Sequence, residues 1–392
     1  MEFLMLNIFF FILVLLIIIR KEYNSSLVIY YIGIIILFVT PSWYMEGGGE
    51  KYRSYSSDSA YRYYMLGVGV IIQCYLIIAV RFLFSKVNDA QEYNLSFKPK
   101  KPLLIFFCMV IFFIFCYVAY YWSSWPLLQA FEGNIIDRPD AVKGDFKGYF
   151  TYSIVAQTLL PAIYFYFHNK YKDNFFINTV LFLSVSFFII IGGNKAIFLY
   201  FVIFYMWFSE SKNKKLNILI YGGVCIALYA LMKGILSHET GSNVTTDYLF
   251  ESIVTRTFAT QGISIPNVIE LASNNIAILD MSSEELKSVL FEYVYGYSPG
   301  TMPLIYIADI FVRFGILITI MIGLIFSLIL AFSSLFIERT KNLALLWIYY
   351  YAIYALVMSG LSDANLLRFT VSSISILIIY LFSRRTLEDS QT

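Results

Sequence analysis

The sequence predicts an all-α, polytopic integral membrane protein with about eleven transmembrane helices, and three observations predict it. Hydrophobic residues make up 59% of the 392 residues and charged residues only 14%, against about 25% charged in a soluble domain. The apolar residues are gathered into runs: 5–19, 103–121 and 314–337 are nearly unbroken Ile, Leu, Phe and Val. The latter two reach the roughly 20 residues that a helix needs to cross the hydrocarbon core, where turn residues would already have cut a soluble core element. Finally, the breaks between runs alternate in charge along the whole chain.

In chain order the spans fall near 3–19, 27–43, 64–84, 103–122, 150–167, 175–191, 196–208, 216–236, 313–337, 343–360 and 365–383. The first is a retained helix and not a cleaved leader. Glu2 is the only charge before Ile19 and Arg20 and Lys21 follow it, the reverse of a signal peptide's charge order. The run at 196–208 is short for a full crossing. Basic residues gather in alternate breaks: Arg20/Lys21, Lys86/Lys98/Lys100/Lys101, Lys170/Lys172, Lys212/Lys214/Lys215, Arg339/Lys341 and Arg384/Arg385. The positive-inside rule makes that set cytoplasmic, with the N-terminus outside and the C-terminus inside. The other breaks (44–63, 123–149, 192–195, 237–312 and 361–364) mix signs or lean acidic.

The chain reads as a single transmembrane domain, 1–392, with two sizeable external loops at 123–149 and 237–312. Loops of that length are uncommon without function or internal structure. In the longer one, Ser282 and Glu285 offer a capping box, and Leu286, Val289, Leu290, Tyr293 and Val294 follow at helical spacing. Pro266 after Ser264 marks another helix start, and Asp247 can cap a helix running through Phe258. The spans show no internal repeat and no inverted pair of Gly/Pro-broken helices, which weighs against a transporter with a midplane site.

Net charge is +2, so no electrostatic case for nucleic acid exists. Cys74, Cys108, Cys116 and Cys225 all lie in apolar runs without ligand spacing and read as packing residues. His168 and His238 are too far apart in sequence to suggest zinc. No metal or cofactor is expected.

The external segments hold the candidate chemistry. Residues 237–303 carry eight carboxylates against Arg256 and Lys287. On a helix from Asp247, Leu249, Ile253 and Arg256 share a face. Two readings of Arg256 stand: an internal ion pair with a nearby Glu, or a fork that grips phosphate bidentately. Gly192–Gly193–Asn194–Lys195 is a tight turn whose amides and Lys195 suit an anion, or a hairpin with a snorkelling lysine. Arg138 sits in a charge cluster with Asp137 and Asp140. Asp309 and Arg313, spaced i, i+4, neutralise each other where a span begins, and Asp363 and Arg368 read the same way. His238, Glu239 and Asp363 are conceivable general bases. Tyr293, Tyr295 and Tyr297 suit a water interface or sugar stacking.

The run Tyr297–Ser298–Pro299–Gly300–Thr301–Met302–Pro303, followed by Arg313–Phe314–Gly315 and a long span containing Gly323, resembles the C-terminal part of bacterial oligosaccharide repeat-unit polymerases of the Wzy type. Arg256–Thr257–Phe258 with Gln261–Gly262 is similar to that family's arginine-bearing external segment, and Gly193–Asn194–Lys195 to its Gly-x-basic turn. The resemblance covers roughly 192–340; the N-terminal half matches in topology alone. A glycine eleven residues after the arginine is not met: Tyr149 follows Arg138 and Asn267 follows Arg256 at that distance.

The resemblance implies a GT-C-like glycosyltransferase of the bacterial inner membrane, acting in lipopolysaccharide O-antigen or polysaccharide biosynthesis. It would transfer a growing glycan from undecaprenyl diphosphate to a lipid-linked repeat unit at the periplasmic face. Arg256 would be catalytic, with Lys195, Arg138, Gln261, Tyr297 and Arg313 binding diphosphate or glycan. Fixed cations would stabilise the leaving diphosphate. The implied partners are the undecaprenyl-diphosphate-linked oligosaccharide, membrane lipids and a chain-length regulator protein. The alternatives are an O-antigen ligase, against which the absence of His in 240–303 counts, and a flippase or transporter. The latter should line its helices with charge, whereas the charges here collect in external loops.

Overall fold

The structure, a computed structural model, describes residues 1–46, 55–85, 95–125, 128, 147–171, 174–191, 195–208, 262–274, 280–296, 302, 304–360 and 362–387. Those residues are helical apart from turns and one short strand pair. The helices are Glu2–Ile19 (α1); Val28–Ile34 continuing through a π turn Ile35–Val39 into Thr40–Glu46 (α2); Ser57–Ser85 (α3); and Lys101–Tyr120 (α4). Next come Tyr149–Ile154, a π turn Val155–Leu159 and Leu160–Tyr171 (α5), then Phe175–Ile190 (α6) and Lys195–Phe208 (α7). Ser264–Asn274 (α8), Ser283–Tyr295 (α9), Tyr306–Arg339 (α10), Leu343–Ser359 (α11) and Asp363–Phe382 (α12) complete the set.

Six helices among the described residues are long and apolar enough to cross a membrane: α1, α3, α4, most of α5, α10 and most of α12. The apolar parts of α2, α6, α7 and α11 are shorter. Ten of the eleven expected spans therefore coincide with apolar helices; 216–236 lies outside the described residues. The chain is membrane-embedded. Its helices expose rows of large apolar side chains, such as Leu4, Ile8, Phe11, Ile12 and Leu15 on α1 and Leu317, Met321, Ile325 and Phe332 on α10, which water would not tolerate and lipid does. Cys108 and Cys116 sit in such an exposed row on α4, while Cys74 is packed inside; Cys225 lies outside the described residues. That corrects the reading of Cys108 and Cys116 as packing residues, because an apolar run in a bilayer need not be buried in protein.

Packing divides the chain into two compact units. The first comprises Met1–Tyr93, Phe250–Thr340 and Tyr349–Thr370, the second Asn94–Leu249, Lys341–Ile348 and Val371–Thr392. In the first, α3 is the buried centre, flanked by α1 and α10. Close approach comes from small residues, as expected where lipid offers no hydrophobic drive. Leu6 of α1 rests on Gly67, and a Cβ at Gly323 of α10 would overlap the Gln73 amide. Gly323, Ser327, Ala331 and Ser334 form a buried stripe along α10 at spacings of four, four and three.

In the second unit α5 is the buried helix. Trp347 closes its core, with ring centroids 5.8, 5.8 and 5.3 Å from Phe165, Phe201 and Phe204. His168 shares a hydrogen bond with Asn178 Oδ1 at 2.9 Å. The strand Leu95–Pro99 (β1) pairs antiparallel with Ser383–Leu387 (β2), Lys98 opposite Arg384. These two segments belong to breaks that the basic pattern puts on one side.

Both π turns have the same cause. Pro41 and Pro161 lack an N–H and crowd the carbonyl four residues back, Leu37 and Gln157, so the helix widens there. The loosened carbonyls are claimed by side chains. Tyr63 Oη donates to Phe38 O at 2.6 Å, and Trp347 Nε1 donates to Thr158 O at 3.1 Å. Both widened turns are plugged by protein donors.

The charge alternation is reflected in the contacts of the first unit. Residues from the basic breaks and adjacent helix ends meet one another: Arg81 binds Glu22 and Glu338, each at 2.9 Å, and Ser334 through Nη1. Ser26 Oγ donates to Glu338 at 2.8 Å, and Arg20 lies over the Phe82 ring. The other breaks likewise meet one another: Ser56 Oγ donates to Glu270 at 2.9 Å, and Asn267 Nδ2 to Tyr55 Oη at 3.1 Å. The buried Arg81 also corrects the statement that charges collect only in loops.

Candidate functional site

Between 262 and 314 the described residues include α8, α9 and the first turns of α10. Pro266 opens α8 as expected, and the first turns of α8 are buried all round, Ser264 through Ile269, while its end at Ser273 and Asn274 is exposed. The Ser282 capping box is present in full: Ser282 Oγ accepts from the Glu285 amide, and the Glu285 carboxylate accepts from the Ser282 amide at 2.8 Å. Those hydrogen bonds hold the Glu285 carboxyl below its usual range. Leu286 and Leu290 bury the inner face of α9, while Val289, Tyr293 and Val294 are half-buried.

Helix α10 begins at Tyr306, seven residues before the expected span. Residues Tyr306 through Val312 are buried, and at Gly315 the backbone leaves helical geometry (φ 76°, ψ 177°) before a second helical stretch runs on to Arg339. Thr319 Oγ1 donates to the Gly315 carbonyl at 2.7 Å, restarting the helix after the break. Only glycine adopts such a φ without strain.

Just before that break lies a cavity of about 360 Å³, lined by Ser282, Ser283 and Glu284 of the α9 start, Asp309, Ile310, Arg313 and Phe314 of α10, and Ser362 and Asp363 at the start of α12. Asp309 is 2% exposed. It accepts from Ser283 Oγ at 2.6 Å and pairs with Arg313 Nε at 3.3 Å. Arg313 also donates through Nη2 to the Met281 carbonyl at 3.0 Å. Glu284 pairs with the buried Lys287 at 3.5 Å. The start of α12 is set by Gly360, whose φ of +69° ends α11, and where a Cβ would overlap the Leu304 carbonyl. Asn365 Nδ2 donates to Gly360 O at 2.9 Å.

Of the residues proposed from sequence, the structure places Arg313 in this cavity, paired with Asp309 as its spacing predicts. Asp363 is there too. Arg368 donates to Asn365 Oδ1 at 3.1 Å, so its near partner is an amide on its own helix. Lys195 begins α7, its side chain outside the description; Arg138, Arg256, Gln261, Tyr297, His238, Glu239 and the Asp247 helix lie outside the described residues altogether. Sequence reasoning treated Ser283 and Glu284 only as helix-cap residues. Their place beside Asp309 had a faint signal, a cap and a span start each bearing a polar group, but no spacing rule joins them.

No protein-family model matches the chain, nor does any curated protein or solved structure.

Proposed function

We propose that this chain is a polymerase of lipid-linked oligosaccharide repeat units, transferring a growing glycan from undecaprenyl diphosphate to a second lipid-linked unit at the periplasmic face of the inner membrane. The observation that carries this reading is the cavity at the start of α9, α10 and α12. It lies among the breaks without the basic pattern, at the end of a lipid-facing helix, and its volume is in the range of ligand pockets, about 300–1,000 Å³.

Three carboxylates against one guanidinium make the cavity acidic, which disfavours a diphosphate. Carboxylates, serine hydroxyls and a forked guanidinium suit sugar hydroxyls, which both donate and accept. The cavity is therefore the acceptor-glycan side of the proposed site. The diphosphate is assigned, on the resemblance, to the cations Arg256, Lys195 and Arg138, with Gln261 and Tyr297 against the glycan. The flippase is the weaker reading, because charge along a translocation path has to be free to meet cargo. Arg81, the buried arginine among the described residues, is engaged through all three of its nitrogens near one helix end.

Deleting the gene tests this. The expected phenotype is a surface glycan capped at one repeat unit while the lipid-linked unit is still made and flipped. Loss of every glycan, single unit included, would favour the flippase, long chains left on the lipid carrier would favour the ligase, and an unchanged chain-length distribution would refute all three. In the same strain, Arg256→Ala is expected to remove long chains at normal protein level, and Arg256→Lys to restore them only in part.

A further inference from the structure

We propose that Asp363 takes the proton from the acceptor hydroxyl, a role that rests on the polymerase reading. Three carboxylates line the cavity and they are not equivalent. Asp309 is buried and already accepts from Ser283 and Arg313. Glu284 takes the Lys287 ammonium. Asp363 lines the cavity, is exposed, and makes neither a hydrogen bond nor an ion pair with any of the described residues. Its lone pairs are open to a ligand.

Its place is set by the helix it begins. Asp363 is the first residue of α12, whose opening turn forms as the amides of Asn365 and Leu366 close onto Ser362 O at 2.8 and 2.9 Å, and Ser362 is buried. A free carboxylate held at a helix start beside a cavity that Ser282, Ser283 and Arg313 also line is the arrangement a general base requires, geometry first. The charged groups near it are Glu284 and Lys287 of α9, Asp309 and Arg313 of α10, and Arg368 of its own helix. Asp309, locked by two donors, serves to orient Arg313, which lines the same cavity.

The step balances without a co-reactant. The acceptor hydroxyl gives its proton to Asp363 Oδ, and its oxygen bonds to the anomeric carbon of the donor glycan. The bond from that carbon to the carrier breaks, and its electron pair leaves with undecaprenyl diphosphate.

The experiment uses full-length protein in lipid vesicles, supplied with the lipid-linked repeat units that accumulate in a strain lacking the gene. If the wild-type protein fails to lengthen them, the polymerase reading fails and this assignment with it. If the wild type lengthens them, Asp363→Asn is expected to insert normally and to lower the turnover rate by about 10² or more, with little change in KM. Asp363→Glu, which keeps a carboxylate, should stay within roughly tenfold of wild type. Asp363→Asn turning over within about threefold of wild type overturns the assignment alone. So does failure of both variants to insert, which would make Asp363 a folding residue.

Discussion

Arg81 offers the most searching test of how this chain is held together. Its guanidinium is 8% exposed and lies between Glu22, also 8% exposed, and Glu338. Replacing it with alanine leaves two carboxylates facing each other at one end of three helices, with the desolvation of Glu22 uncompensated. Breaking a buried pair by removing one partner costs about 3–5 kcal/mol, a factor of roughly 10²–10⁴ in the folded ratio. The loss should depend on pH, with a sign that can be worked out. Burial raises the Glu22 carboxyl above its ordinary value, and the attraction of Arg81 is the largest opposing cause. Without Arg81 it rises further. A carboxyl whose folded pKa lies above the unfolded one binds its proton more tightly in the native state. Its contribution to stability is therefore full at acid pH and is lost as pH rises through the folded value.

Arg81→Ala should accordingly fall furthest below wild type at pH about 8 and recover part of the gap at pH about 5. Glu22→Gln on the Arg81→Ala background should cost less than the two single changes added together. The assay is the fraction of detergent-solubilised, fluorescently tagged full-length protein that survives heating as a single size-exclusion peak. An equal loss at both pH values, or strict additivity of the double variant, would refute the account of the cluster.

Two further outcomes are expected. Gly323→Ala places a methyl group on the Gln73 amide, which is 1% exposed and must shift to make room. The cost should be about 1–3 kcal/mol, visible in the same heating assay and relieved by adding Gln73→Ala. Reporters fused after Lys101 and Lys215 should read cytoplasmic and those within 123–149 and 240–300 periplasmic; a cytoplasmic signal from a fusion at position 270 would overturn the proposed orientation.

Much of the fold was legible because its signals are local. The Ser282–Glu285 cap and the Pro266 helix start depend on hydrogen bonds within one turn, and both are found where the residues place them. The candidate site was legible only in pieces. Arg313 was named as a binding residue and Asp363 as a conceivable base, but nothing in the sequence joined 282–284, 309–314 and 362–363 into one cavity. The expected span at 313–337 missed the first turns of α10, since Asp309 and Arg313 interrupt the apolar run and the contact of Asp309 with Ser283, distant in the chain, is invisible to a hydropathy reading.

By itself, then, the sequence determined that this is an α-helical membrane protein and roughly where its helices run. Length, apolarity and basic residues act through the bilayer, which every segment meets independently of the others. Tertiary structure alone decided which helices face lipid and which face protein. α1 is largely exposed and α3 largely buried, yet both carry a long apolar run, because hydrocarbon and a protein core present the same signal to a hydropathy reading. It decided equally the break at Gly315, the plugging of the proline turns by Tyr63 and Trp347, and the Arg81 cluster. Each of these joins groups from distant parts of the chain, and their pairing energy exists only once the helices have met.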